Sequence, residues 1–121
     1  MNDFHTLAAR YIDTWNEPDP AARRHAIEKL WADDARYIDP LIDAQGRTAI
    51  DAAIAAAQQQ FPGFSFRLTG AVDGHHDQCR FSWEFGPAGA QAPVAGSDVA
   101  LVAEDGRLQA VLGFRDKVPS S

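Results

Sequence analysis

WADDARYIDP, residues 31–40, changes character halfway along. It starts as the end of a helix, closed by Asp33-Asp34, and residues 35–38 read as a short strand. The segment ends on Asp39, locked by Pro40. The residue before a proline is pushed out of the helical region toward extended geometry. Asp39 is therefore expected on a stiff extended backbone, beside Tyr37 and Ile38. An acid in apolar surroundings has its charged form disfavoured, which moves it toward a useful general base. Taken alone, the Asp-Pro pair is better read as the start of a surface turn.

Upstream, Phe4, Leu7, Ala8, Tyr11, Ile12 and Trp15 recur at the spacing of one helix face. Asn2 or Asp3 is placed to cap that helix. Tyr11 is central on the face, so its ring should be buried and its hydroxyl should need a partner. The plain reading is a core tyrosine bonded to a carbonyl; the functional one is a donor aimed into a cavity. Glu17-Pro18-Asp19-Pro20 breaks the helix, and residues 21–30 form a second one. Ala22, His25 or Ala26, and Leu30 are expected inward, with Arg23, Arg24, Glu28 and Lys29 solvated. Downstream, residues 41–45 read as a loop. Residues 48–60 read as an alanine-rich third helix, with Ile50, Ala53, Ile54 and Ala57 on one face. Phe61-Pro62-Gly63 stops it.

Strands follow. Phe64, Phe66, Leu68 and Val72 alternate with polar residues, and Asp73-Gly74 reads as a turn. Residues 76–85 put Cys79, Phe81, Trp83 and Phe85 on one face. Residues 86–92 form a hairpin loop, residues 93–103 an apolar strand, and Glu104-Asp105-Gly106 a tight turn. In the last strand, residues 108–115, Leu108, Ala110, Leu112 and Phe114 alternate, and residues 119–121 are expected to fray. Helices first and strands after argue the α+β class. Three helices would lie on a curved, mainly antiparallel sheet, with an apolar pocket between the layers.

The 121 residues suit one domain, residues 1–121. A net charge of −6 argues against a nucleic-acid partner, which needs a basic patch. No run of about 18 apolar residues suggests a membrane span. One cysteine, Cys79, excludes an internal disulfide framework; on the Phe81 and Trp83 face it reads as core rather than nucleophile. An amphipathic helix directly after Met1-Asn2-Asp3 gives no secretory signal, so a cytoplasmic protein is expected. His75-His76 reads as a turn tip rather than a metal site, because neighbours on a strand point apart and no third ligand is evident. His5 and His25 are isolated.

Asp98 is the second informative acid. It interrupts a strand of small and apolar residues, where a carboxylate is costly unless exposed, paired or protonated. Facing a pocket, it would stay protonated and donate a hydrogen bond. Periodicity does not decide its face.

With these residues in place, ARYIDTWN (residues 9–16), LWADDARYIDP (30–40), GRTAI (46–50) and DVALVAEDGRLQ (98–109) together resemble the nuclear-transport-factor-2-like superfamily. Within it, the chain resembles the SnoaL-like proteins and the ketosteroid isomerases. The fold implied is a cone-shaped α+β barrel around an apolar cavity. The roles implied are Asp39 as general base, with Tyr11 and protonated Asp98 as oxyanion donors. Trp15, Trp31, Ile54, Phe81, Trp83, Val94 and Val111 are candidate pocket residues. Trp31 and Ile54 stand where the isomerases carry two supporting tyrosines. Arg115 stands where they carry a pocket aromatic, and pointing inward it would favour a polar or anionic substrate.

The chemistry suits those residue types. A base removes a proton beside a carbonyl, and two neutral donors stabilise the charge that grows on the oxygen. Return of the proton at another carbon gives an isomerase; attack on a second carbonyl gives an aldol cyclase. No cofactor or metal is required, and the partner is a small apolar or carbonyl-containing ligand. The rival reading is a non-catalytic ligand-binding or dimerisation module. An epoxide-hydrolysing relative would need an Asp-Arg-Asp cluster, with Arg80 or Arg115 as the arginine. The resemblance also implies a homodimer through the outer sheet face.

Overall fold

A computed structural model describes residues 3–118. Asn2, one of the two expected caps, and the expected fraying at residues 119–121 lie outside the described residues. Helix α1 (Phe4–Asn16) is capped by Asp3, whose carboxylate accepts from the Thr6 backbone N–H at 3.0 Å. Helix α2 (Pro20–Leu30) starts on Pro20, where a missing N–H costs nothing, and Asp19 caps it by accepting from Ala22 N–H at 2.8 Å. Its buried side chains are Arg23, Ile27 and Leu30. Arg23 was expected in solvent. It is buried because its guanidinium reaches Asp51 Oδ1 at 2.6 Å and the Glu17 carbonyl at 3.1 Å, so the charge is paired as burial requires.

Strand β1 (Trp31–Ile38) begins directly at the helix end, four residues earlier than the alternation suggests. Trp31 is fully buried in extended geometry, and its carbonyl accepts from Arg47 at 2.8 and 3.1 Å. Asp33 and Asp34 therefore lie in a strand and do not end a helix. The expected loop after Pro40 contains a short strand β2 (Asp43–Gln45), too brief for alternation to register, fixed by Arg36 on Asp43. Helix α3 (Arg47–Gln60) buries Ile50 and Ile54. Strands β3 (Phe64–His75), β4 (Gln78–Pro87), β5 (Val94–Val102) and β6 (Leu108–Lys117) follow.

The hairpin turn between β3 and β4 is His76-Asp77, with His75 opposite Gln78, and not Asp73-Gly74. Gly74 stays in the ladder because a side chain there would strike the Phe4 ring and Cys79; the glycine serves a close approach, not a turn. His76 itself takes the left-handed conformation at φ 52°.

The three helices pack on one curved six-stranded sheet of order β2-β1-β6-β5-β4-β3. All neighbours are antiparallel except β1 and β6, which run parallel. The sheet does not close on itself; β2 and β3 are its edges.

One irregularity positions the site. β6 pairs Leu108 with Val102 but Ala110 with Leu101, so Gln109 is an extra residue in the ladder. A bulge of one residue turns the side chains that follow to the opposite face, here as far as Arg115, beyond which the register shifts again. Leu108 is buried, and from there on the buried position is Val111 rather than Ala110 or Leu112; Gly113 and, at the exposed mouth, Phe114 and Arg115 line the cavity. On β5 the matching inward residues are Ala100, Asp98 and Gly96.

Candidate active site

Asp39 leaves β1 at the point where Pro40 stops it. Its backbone N–H donates to the Ile42 carbonyl at 2.9 Å, and its Oδ1 accepts from the N–H groups of Leu41 and Ile42, each at 2.8 Å. The turn and the site are thus the same object, since the side chain that closes the turn also faces the cavity. Its Oδ2 accepts a hydrogen bond from the Tyr37 hydroxyl at 2.7 Å. Residues two apart on a strand share a face, which brings Tyr37 and Asp39 together. Tyr37 had been read only as an apolar neighbour; the two-residue spacing was the available signal.

Asp98 lies mid-strand on β5, only 2 % exposed. Its Oδ1 is buried without a hydrogen-bond partner. Burial pushes its pKa up to about 6; the Trp83 indole and the Tyr11 hydroxyl pull against that, and the nearby charge of Asp39 adds to it. A buried carboxyl with an unsatisfied oxygen is far cheaper neutral than charged. Space for it comes from Gly113 on the neighbouring strand. A Cβ at that position would sit 2.9 Å from Asp98 Oδ1 and 3.3 Å from Asp39 Cβ. The two acids therefore converge on the one residue without a side chain.

Tyr11 comes from α1 and is buried against the rings of Phe81, Trp31 and Trp15, with centroids 5.4, 5.9 and 6.4 Å away. Burial, and then the nearby Asp98, raise the pKa of its phenol well above the usual value, so it remains a donor. Tyr37 is raised for the same reasons, burial first. The indole N–H of Trp83 approaches Asp98 and that of Trp15 approaches Tyr11, neither closing a well-formed hydrogen bond.

These groups line a cavity of about 320 Å³ between α1, α3 and the sheet. Phe66, Phe85, Ala53 and Ala57 supply much of its apolar wall. Among the expected pocket residues, Trp15, Trp83, Val94 and Arg115 line it. Trp31, Ile54, Phe81 and Val111 do not; this is a correction to the sequence reading. They are 0–3 % exposed and form the core behind the cavity, with the Tyr11 ring tilted against Trp31 and edge-on to Phe81. Positions 31 and 54 thus carry apolar core residues, Trp31 lying against the Tyr11 ring. Phe66, Gly113 and the rim residues Leu41 and Phe61 were not anticipated, because which face of each strand looks inward depends on bulges and register.

Arg115 stands at the rim and makes no ion pair among the described residues. It is not paired with Asp98 or Asp39, although all three line the same cavity. Arg80 lies elsewhere, exposed and paired with Asp73 at 3.2 Å. Among the described residues no three His, Cys, Asp or Glu side chains converge as metal ligands, and no helix is long and apolar enough to cross a membrane.

A carboxylate, the Tyr11 hydroxyl, an Asp98 carboxyl that is protonated below about pH 6, and an apolar enclosure can together take a proton from carbon and hold the resulting oxyanion. Residues 8–111 match the family model of the SnoaL-like domain. A crystal structure of a candidate isomerase of the SnoaL-like family from Agrobacterium tumefaciens strain C58 is 41% identical, with a TM-score of 0.90 over 93% of this chain and 97% of that one. A SnoaL-like protein of unknown function from Burkholderia thailandensis E264 is 19% identical, with a TM-score of 0.73 over 93% of each chain. A candidate polyketide cyclase from Sinorhizobium meliloti is 17% identical, with a TM-score of 0.71 over 89% of this chain and 93% of that one. The last two share the fold alone. No curated protein matches the sequence.

Proposed function

The chain belongs to the SnoaL-like domain family, and we propose that it catalyses a cofactor-independent proton transfer beside a carbonyl group of a small substrate. Asp39 takes the proton, the C–H electron pair moves into the enolate, and Tyr11 and neutral Asp98 donate to the enolate oxygen. Asp39 then returns the proton at another carbon; alternatively the enolate carbon attacks a second carbonyl, closing a ring, and the proton held by Asp39 passes to the new alkoxide oxygen. The observation that carries this reading is the convergence of Asp39 and Asp98 on Gly113 within one apolar cavity that Tyr11 also lines. Neutral donors suit the task, because they stabilise new negative charge without attracting a counter-charge beforehand. The Agrobacterium relative, a candidate isomerase, supports the same class.

The test needs no substrate. Fluorescent 2-naphthol, an analogue of a dienolate, should bind the wild type and lose affinity in both Tyr11→Phe and Asp98→Asn. Absence of binding, or binding indifferent to both changes, would remove the oxyanion site. A second reading has an observation of its own. Asp39 spends both oxygens on Tyr37, Leu41 and Ile42, as a purely structural turn residue would. In that case the cavity binds ligand without turnover, and hydrogen–deuterium exchange into bound ketones stays at the uncatalysed rate.

A further inference from the structure

We infer that the substrate of this site is an oxo acid: its carbonyl lies between Tyr11 and Asp98, and a carboxylate at its far end lies against Arg115. The inference rests on the proton-transfer reading and names its substrate class. The strand geometry supplies the spacing. Gly113 pairs with Asp98 and Arg115 pairs with Gly96, so Arg115 leaves the same face of β6 two residues farther on. Two residues of strand are roughly 7 Å. That separates the head of the cavity, where the acids converge, from a cationic rim.

Arg115 makes no ion pair among the described residues; Arg10 and Arg24 make none either, but neither of them lines the cavity. Six other arginines sit within 3.8 Å of a carboxylate, from Arg23 on Asp51 to Arg107 on Asp105. Asp116, next to Arg115, instead accepts from the Ser97 hydroxyl at 2.6 Å. No other lysine, arginine or histidine lines the cavity, and the chain as a whole carries −6. An anion entering this cavity meets Asp39 and an acidic protein, and Arg115 is the one group that offsets them. A single guanidinium fork matches a singly charged carboxylate; a dianionic phosphate would need more positive charge than this rim holds. Between the ends, Phe66, Trp83, Phe85 and Val94 favour an apolar body.

The probes are 2-naphthol and 6-hydroxy-2-naphthoate, the same ring system without and with a carboxylate. Fluorescence titration should show the wild type binding hydroxynaphthoate about five-fold tighter, the size expected for one solvent-exposed ion pair. Added salt should shrink the preference. Arg115→Gln should bring the ratio of the two affinities to about one, and Arg115→Lys should restore part of it. Equal affinities in the wild type, or a preference that survives in Arg115→Gln, would overturn the inference while leaving the proton-transfer reading intact. A carboxylate preference lost in Arg115→Gln, but with neither probe weakened by Tyr11→Phe, would remove the proton-transfer reading and leave Arg115 as an anion subsite only. Binding of neither probe overturns both.

Discussion

Asp39 and Asp98 are the same residue in the same cavity, and the chain treats them in opposite ways. Asp39 sits at a strand end, half-buried, with three donors on its two oxygens. Asp98 sits mid-strand, buried, with an oxygen that nothing satisfies. One environment suits a carboxylate, the other a carboxylic acid. Environment, not residue type, separates the two: burial raises Asp98, while Asp39 has its oxygens filled by donors. Each half of the contrast can be attacked separately.

The largest effect is expected at Asp39. Asp39→Asn keeps an oxygen for the Leu41 and Ile42 N–H groups, so the fold should survive. Loss of a positioned general base should cut ketone α-proton exchange by about 10²- to 10⁴-fold, followed by NMR alongside thermal unfolding. An exchange rate equal to wild type would remove Asp39 from the chemistry.

Next comes Asp98, through pH. Its pKa is raised from 3.8 to about 6, burial being the main cause. A raised acid favours the fold while protonated. Its contribution is complete below about pH 4 and is lost as pH rises through 6, amounting to roughly 3 kcal/mol at 1.36 kcal/mol per unit. Asp98→Asn, neutral at every pH, should flatten the loss of Tm between pH 4 and 8. The wild type's affinity for 2-naphthol should likewise fall above about pH 6. A wild-type Tm that rises across that interval, or a variant as pH-dependent as wild type, would mean that Asp98 is not held neutral.

Gly113→Ala would place a methyl group between the two acids. Overpacking of this kind costs typically about 1–3 kcal/mol. Urea unfolding and naphthol binding should both suffer, and an unperturbed variant would mean that the acids have room to part. The smallest effect is expected for Tyr37→Phe, which removes one of the three donors on Asp39. The stability loss should be about 1–2 kcal/mol, with no change in the affinity for 2-naphthol, because the oxyanion donors are elsewhere.

Much of the fold lay open in the sequence, for local reasons. The i, i+3, i+4 face of α1 and the alternation in β4 each encode burial within a few residues. Asp98 stood out because a charge inside an apolar strand conflicts with its surroundings. Long-range features were hidden. Trp31 extends β1 because it pairs with Leu108, far along the chain. Arg23 is buried because Asp51, on another helix, meets it. The Asp73-Gly74 pair looks like a turn until Phe4 packs over it. Trp31, Ile54, Phe81 and Val111 are apolar like any cavity wall, and only the packing of distant elements puts them in the core, Trp31 and Phe81 against the Tyr11 ring.

Gln109 makes length as informative as composition. Because one supernumerary residue shifts the alternation of β6, an indel there exchanges the whole set of side chains that look inward, an effect that no single substitution on the strand has. Two sequences aligned without that gap would agree on nearly every letter of the strand and disagree about which of them touch the ligand.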